Sequence, residues 1–252
     1  MLTRLIAAAL FAGLAAGLLV AGLQHFYVTP MIVKAESYEG QGGHTHAHAP
    51  GEAAHEHAPG EPAHDHGAAG HTHGEGEWSP ADGAERLAYT VLATVATAVG
   101  YALILCSVMM VAGAVFTTET ILKWALGAFV ATTLAPGFGL SPSLPGMGET
   151  ALEPRQVWWI ATALATATSL YIATHYPRNV LAVAGAVVLI ALPHIWGAPA
   201  VELTQGGVPA RLSAQFASST MTLAFILWGA IGLALGAALA WLGKSTSRAL
   251  PA

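Results

Sequence analysis

The chain has 252 residues, of which 54% are hydrophobic and only 9% charged, against roughly 25% charged in a soluble domain. That deficit excludes an ordinary soluble globular protein, and a net charge of −5 supplies no basic patch for nucleic acid. One cysteine excludes a disulfide framework and a cysteine-rich zinc site.

A helix rises about 1.5 Å per residue, so crossing roughly 30 Å of hydrocarbon takes about 20 apolar residues. Leu5–Leu23, preceded by Arg4, is the first predicted span. Its run of about 19 apolar residues exceeds the signal-peptide core of about 7–15, and no A-x-A cleavage site follows, so it is read as uncleaved. Gln24, His25, Glu36 and Glu39 stand at or just beyond its end.

A different material follows. Between Lys34 and Arg86 lie two basic and ten acidic residues, together with nine of the 12 histidines. A nine-residue unit repeats: His48-Ala-Pro-Gly-Glu-Ala-Ala-His55-Glu, then His57-Ala-Pro-Gly-Glu-Pro-Ala-His64-Asp. A composition of Gly, Pro, Ala, Glu and His builds no core, so a disordered loop is expected. What recurs is the His-x-His unit: His44, His46 and His48, then His55 and His57, His64 and His66, His71 and His73. In an extended chain residues i and i+2 point the same way, so two imidazoles can meet one metal ion. Imidazole suits Co²⁺, Ni²⁺, Zn²⁺ and Cu²⁺, with Cu²⁺ ahead in intrinsic affinity. The loop can therefore concentrate a divalent metal without choosing one. Binding should fade below the ordinary histidine pKa of about 6.5, because the ligand must be neutral.

The second predicted span, Leu87–Phe116, carries no charge. Cys106, Met109 and Met110 fall within one of its turns; soft sulfur suits Cu(I), but methionine is common apolar filler, and packing is the expected role. The third span is Ile121–Leu140, with Lys123 near its start. Val157–Thr174 and Asn179–Trp196 are the short fourth and fifth, joined by His175-Tyr176-Pro177-Arg178. Phe216–Leu242 is the sixth. The expected fold is an all-α integral membrane protein, a helical bundle of five to six transmembrane helices with a disordered His-rich loop. It divides into a first helix (1–25), the loop (26–86), the bundle (87–242) and a cytoplasmic tail (243–252).

Six spans bring both termini to one side. Arg4, Lys123, Arg178, Lys244 and Arg248 fall there, against Lys34, Arg86, Arg155 and Arg211 on the other. Basic residues gather inside, so the termini are assigned to the cytoplasm and the loop to the exterior. Trp124 and Trp241 then mark the inner interface, and Trp158, Trp159 and Trp196 the outer. Gly13-x-x-x-Gly17 and Gly232-x-x-x-Gly236 should let helices approach closely. The small-residue run Ala161–Ser169 fits tight packing better than a hydroxyl-lined path. His25 and His194 share the loop's side and could receive an ion from it; His175 belongs to the inner turn. No Walker A motif, paired carboxylates, Ser/His/Asp set or HExxH is present, so no enzyme is expected and no prosthetic group is implied.

Several short motifs in order resemble the probable cobalt transporter subunit CbtA family. They are Arg4–Leu10, Ala12-Gly13-Leu14, Leu23-Gln24, Pro30-Met31-Ile32 and Ala35–Glu39 near the start. Leu144-Pro145-Gly146 and Arg155–Trp159 follow in the middle. Leu192-Pro193-His194, Gly197-Ala198-Pro199 and Val208–Leu212 leading to Phe216 complete the set. The resemblance implies an inner-membrane importer of cobalt for cobalamin synthesis. It also implies a small single-span, His-rich partner (CbtB). The family is described with about five spans, where six are counted here.

The expected function is thus a multi-pass permease subunit in the inner (plasma) membrane for divalent transition metal, Co²⁺ first. The nine loop histidines capture metal, and Gln24, His25, Glu36 and His194 receive it at the outer mouth. The alternatives are a membrane-tethered buffer or sensor and a Zn, Ni or Cu efflux protein.

Overall fold

The computed structural model describes residues 2–42, 80–147, 151–200 and 207–248. All regular structure among them is helical. The chain is an all-α integral membrane protein, the architecture that pairs every backbone amide within its own segment when water is absent. Its helices are α1 (Leu2–Tyr27), α2 (Thr29–Gly42), α3 (Ala84–Val111), α4 (Thr118–Phe129), α5 (Ala135–Gly137), α6 (Leu152–His175), α7 (Val180–Trp196) and α8 (Ala210–Arg248). One π-helical turn, Val130–Leu134, joins α4 to α5. By length and composition α1, α3, α6 and α8 can each cross a membrane, and α7 is a shorter apolar helix.

α1, α3, α4 and α8 form the main core. Ala8, Ala9, Ala12, Ala16 and Val20 of α1 recur at helical spacing and meet Ala98, Ala102, Leu105 and Met109 of α3. Ile121 and Ala125 of α4 and Ile231 and Leu235 of α8 complete it. Apolar surface gains little by leaving lipid, so close fit has to hold these helices together. Both glycine pairs provide it. A Cβ at Gly17 would stand 2.7 Å from Val95 Cα, and one at Gly13 would strike the backbone at Val99. On α8, a Cβ at Gly236 would come within 2.8 Å of the Thr118 hydroxyl, and one at Gly232 within 3.0 Å of Leu122. These pairings also fix direction. As α1 advances from Gly13 to Gly17 its neighbour on α3 retreats from Val99 to Val95, so the two are antiparallel; α4 and α8 are antiparallel by the same logic.

A smaller cluster caps one end. Val28, Ala35, Leu144, Leu212 and Phe216 are buried together there. They join the end of α1, α2, the segment after α5 and the start of α8. The His-rich segment leaves α2 and returns into α3 at this same end, called the loop end below.

α6 and α7 make an antiparallel hairpin. Among the described elements α7 packs only on α6, and α6 reaches the rest chiefly through the π turn. Thr162, Thr166 and Ser169 are buried on α6. Thr162 and Ser169 donate to the carbonyls of Trp158 and Ala165, at 2.8 and 2.7 Å, while the Thr166 hydroxyl has no hydrogen-bond partner among the described residues.

Three sequence expectations change. Residues 29–42, assigned above to the loop, form α2: Pro30 suits a first helical turn, and Met31, Ile32, Ala35 and Tyr38 give it one apolar face. The second span stops at Val111 rather than Phe116, because Gly113 takes φ +66° and turns the chain. The third span is not one uniform α-helix. Pro136 has no N–H for the carbonyl of Thr132 four residues earlier, and the helix widens into the π turn just before it. The expected disorder of the His-rich segment lies outside the described residues.

Candidate metal site

The nine loop histidines, His44, His46, His48, His55, His57, His64, His66, His71 and His73, all lie outside the described residues. The remaining expected ligands can be placed. Gln24 and His25 close α1, Glu36 sits on α2, and His194 lies two residues before the end of α7. All four are at the loop end, because α1 and α7 finish there and α2 lies across it.

They do not form one site. His25 and Glu36 line a cleft of about 560 Å³ with Thr29, Ser37, Asp82, Arg86 and Thr90. The ring of His25 is exposed, in edge contact with Phe26 at 5.2 Å. Glu36 is half-buried and receives both guanidinium nitrogens of Arg86, Nη1 reaching Oε2 at 3.1 Å and Nη2 donating to Oε1. Arg86 also reaches Asp82 Oδ1 at 3.2 Å. Gln24 stands beside this group: its Oε1 accepts from the Thr94 hydroxyl at 3.2 Å, and its carbonyl accepts from that of Thr29 at 3.3 Å.

His194 occupies a second cleft of about 500 Å³, between α6, α7 and the end of α5, with Phe138, Gly139, Trp158 and Ala198. Its ring meets Trp158 edge-on at 5.8 Å. Among the described residues this lining holds no carboxylate. Among the described residues no three His, Cys, Asp or Glu side chains converge closely enough to hold an ion. His175 stacks on Tyr171 at 4.0 Å in the turn at the opposite end, apart from both clefts.

The soft-sulfur group resolves as packing. Cys106 and Met109 are buried in the main core, while Met110 faces outward, so the three sulfurs do not converge on one face. Of the charges at the other end, Lys123 pairs with Glu119 at 2.7 Å, one turn apart and exposed.

Arg86 was missed as a site residue. Its partner Glu36 is 50 positions away, with the whole His-rich segment between them, so no local pattern links the two. Trp158 and Trp159 were expected as interface aromatics, and they also act as donors. Trp159 Nε1 gives its hydrogen to the Thr132 carbonyl at 3.1 Å, the carbonyl that Pro136 leaves unserved. Trp158 Nε1 donates to the Pro193 carbonyl at 3.1 Å.

Residues 2–240 match the family model described as probable cobalt transporter subunit (CbtA), and the chain belongs to that family. Neither the curated proteins nor the solved structures compared with it gave a match.

Proposed function

We propose that this chain is the membrane-spanning subunit through which divalent cobalt is taken into the cell, to supply cobalamin synthesis. The His-rich segment faces outward and collects the ion. His25, Glu36 and Gln24 receive it at the mouth of the bundle, with His194 at a neighbouring station. A small single-span, His-rich second subunit of the CbtB kind assembles with it in the inner membrane.

One observation supports this most directly. His25 and Glu36, an imidazole and a carboxylate, line one cleft at the end where both stems of the His-rich segment meet the bundle. Imidazole and carboxylate oxygen are ordinary ligands of a hydrated first-row dication. A dication moving inward also gains about 4–5 kcal/mol per 100 mV of inside-negative potential, twice the value for one charge, so inward movement needs no nucleotide site on this chain.

Cobalt uptake is measured in cells lacking other cobalt importers, with His25→Ala, His194→Ala and the double variant. The single His25 change is expected to lower uptake about tenfold at limiting metal, the effect of losing about 1.4 kcal/mol of binding. Unchanged uptake in the double variant defeats the receiving-site assignment. A second possibility, a tethered metal buffer or sensor, is favoured by the lack of a three-ligand cluster among the described residues. Deleting residues 44–73 separates the two: a transporter keeps uptake at high metal, and a buffer loses its activity. Counting flux in both directions separates import from Zn, Ni or Cu efflux.

A further inference from the structure

Building on the receiving site, we infer that Arg86 is a tethered cation that holds the place of the metal in the His25–Glu36 cleft and must be displaced before an ion binds there. Its fork engages both oxygens of Glu36 and also reaches Asp82, so one guanidinium bridges the two carboxylates of the cleft. Those oxygens carry the lone pairs a dication would use. They line the cleft with His25 yet do not close into a three-ligand set, and the guanidinium stands between them.

The chemistry of arginine makes this an exchange rather than a titration. Guanidinium stays charged at any physiological pH, so Arg86 cannot vacate the carboxylates by losing its proton. A competing cation has to displace it. A dication has twice the charge and can add His25 as a ligand, so it can outcompete the guanidinium, whereas Na⁺ or K⁺ gains far less from the same oxygens. The cleft is thereby kept from collecting monovalent ions. Gly83, at φ +92° just before α3, is uncrowded: apart from its chain neighbours, none of the described residues comes within 4 Å of where a Cβ would stand. Both residues of the pair are partly exposed, at 29% and 24% of their side-chain surface, so breaking the contact opens no apolar core.

The test is a Co²⁺ titration of the full-length chain in lipid nanodiscs, with the nine loop histidines replaced by alanine so that the cleft is read alone. Arg86→Gln is expected to bind Co²⁺ about fivefold more tightly, because a partly exposed charge pair contributes about 1 kcal/mol. Glu36→Gln is expected to bind more weakly, and the double variant to match Glu36→Gln. Helix content by circular dichroism checks each fold. Should Arg86→Gln not fold, Arg86→Lys, which keeps the charge but loses the fork, is expected to shift in the same direction. A purely structural clamp predicts otherwise: lower thermal stability, with metal affinity unchanged or reduced, and that result overturns the inference. If His25→Ala and Glu36→Gln leave binding unchanged, the receiving site itself fails and the role of Arg86 with it. If they weaken binding while neither Arg86 variant tightens it, only the role of Arg86 falls.

Discussion

The core of α1, α3, α4 and α8 and the hairpin of α6 and α7 use the same apolar residues but are held differently. In the core, glycines put backbone against backbone, and a methyl group at Gly13 or Gly17 has nowhere to go. In the hairpin, Gly185 of α7 has open space around it. Its attachment to the core runs chiefly through the π turn, where the Trp159 indole N–H bonds Thr132, while the Trp158 indole bonds Pro193 within the hairpin. The two clefts follow this division. One lies at the end of the core and carries Glu36, Asp82 and Arg86; the other lies at the seam and is mostly aromatic. The same residue type, histidine, therefore has charged neighbours in one setting and a tryptophan in the other.

The contrast can be broken at its strongest point first. Gly13→Leu should lose more than the roughly 1–3 kcal/mol typical of overpacking, because the obstacle is backbone and cannot rotate away. Little monodisperse protein is expected on size-exclusion chromatography, and a normal yield with a normal melting temperature contradicts the account of the core. Trp159→Phe keeps an aromatic, though smaller, ring and removes the donor, at about 1 kcal/mol for the unserved Thr132 carbonyl. Hydrogen exchange should quicken in α6 and the π turn while α1 is unaffected; equal quickening in both would mean that core and hairpin open as one unit. Gly185→Ala should be the mildest, shifting stability by no more than about 1 kcal/mol and toward the folded state, since alanine is the better helix former. A marked loss in thermal unfolding would mean that a neighbour covers α7 in the membrane.

Much of the fold could be read from the sequence because lipid allows few choices. A long uncharged apolar run has to be a helix, and the expected stretches overlap α1, α3, α6, α7 and α8, with ends differing by up to six residues. The glycine pairs were readable as contact points, although their partners on α3 and α4 were not. α2 escaped notice because Lys34, Glu36 and Glu39 hide an apolar face of only four residues. The π turn had a visible cause, Pro136 within an apolar run, but proline can kink, break or widen a helix, and the local sequence does not say which. At the site, the positions of His25, Glu36 and His194 at one end followed from counting spans. Their separation into two clefts depends on how α6 and α7 sit against α5, a long-range fit that no local pattern records. In the sequence Arg86 reads only as one positive charge beyond the membrane, because its pairing with Glu36 of α2 is a long-range contact.

The length of α7 has a consequence for the membrane itself. At 17 residues it spans about 25 Å, some 5 Å less than an average hydrocarbon core. Trp196, which is 90% exposed, and the Arg178–Asn179 turn bracket that short length. A span that short is matched by local thinning of the bilayer, by snorkelling of flanking residues or by association with a neighbour, whereas α8, with 39 residues, is long enough to cross the full width. The two flanks of the protein therefore match different film thicknesses. Thicker, sterol-like or longer-chain membranes load the hairpin flank first. The load falls on the side attached through the π turn, so lipid chain length becomes a physical variable acting on the seam where His194 resides.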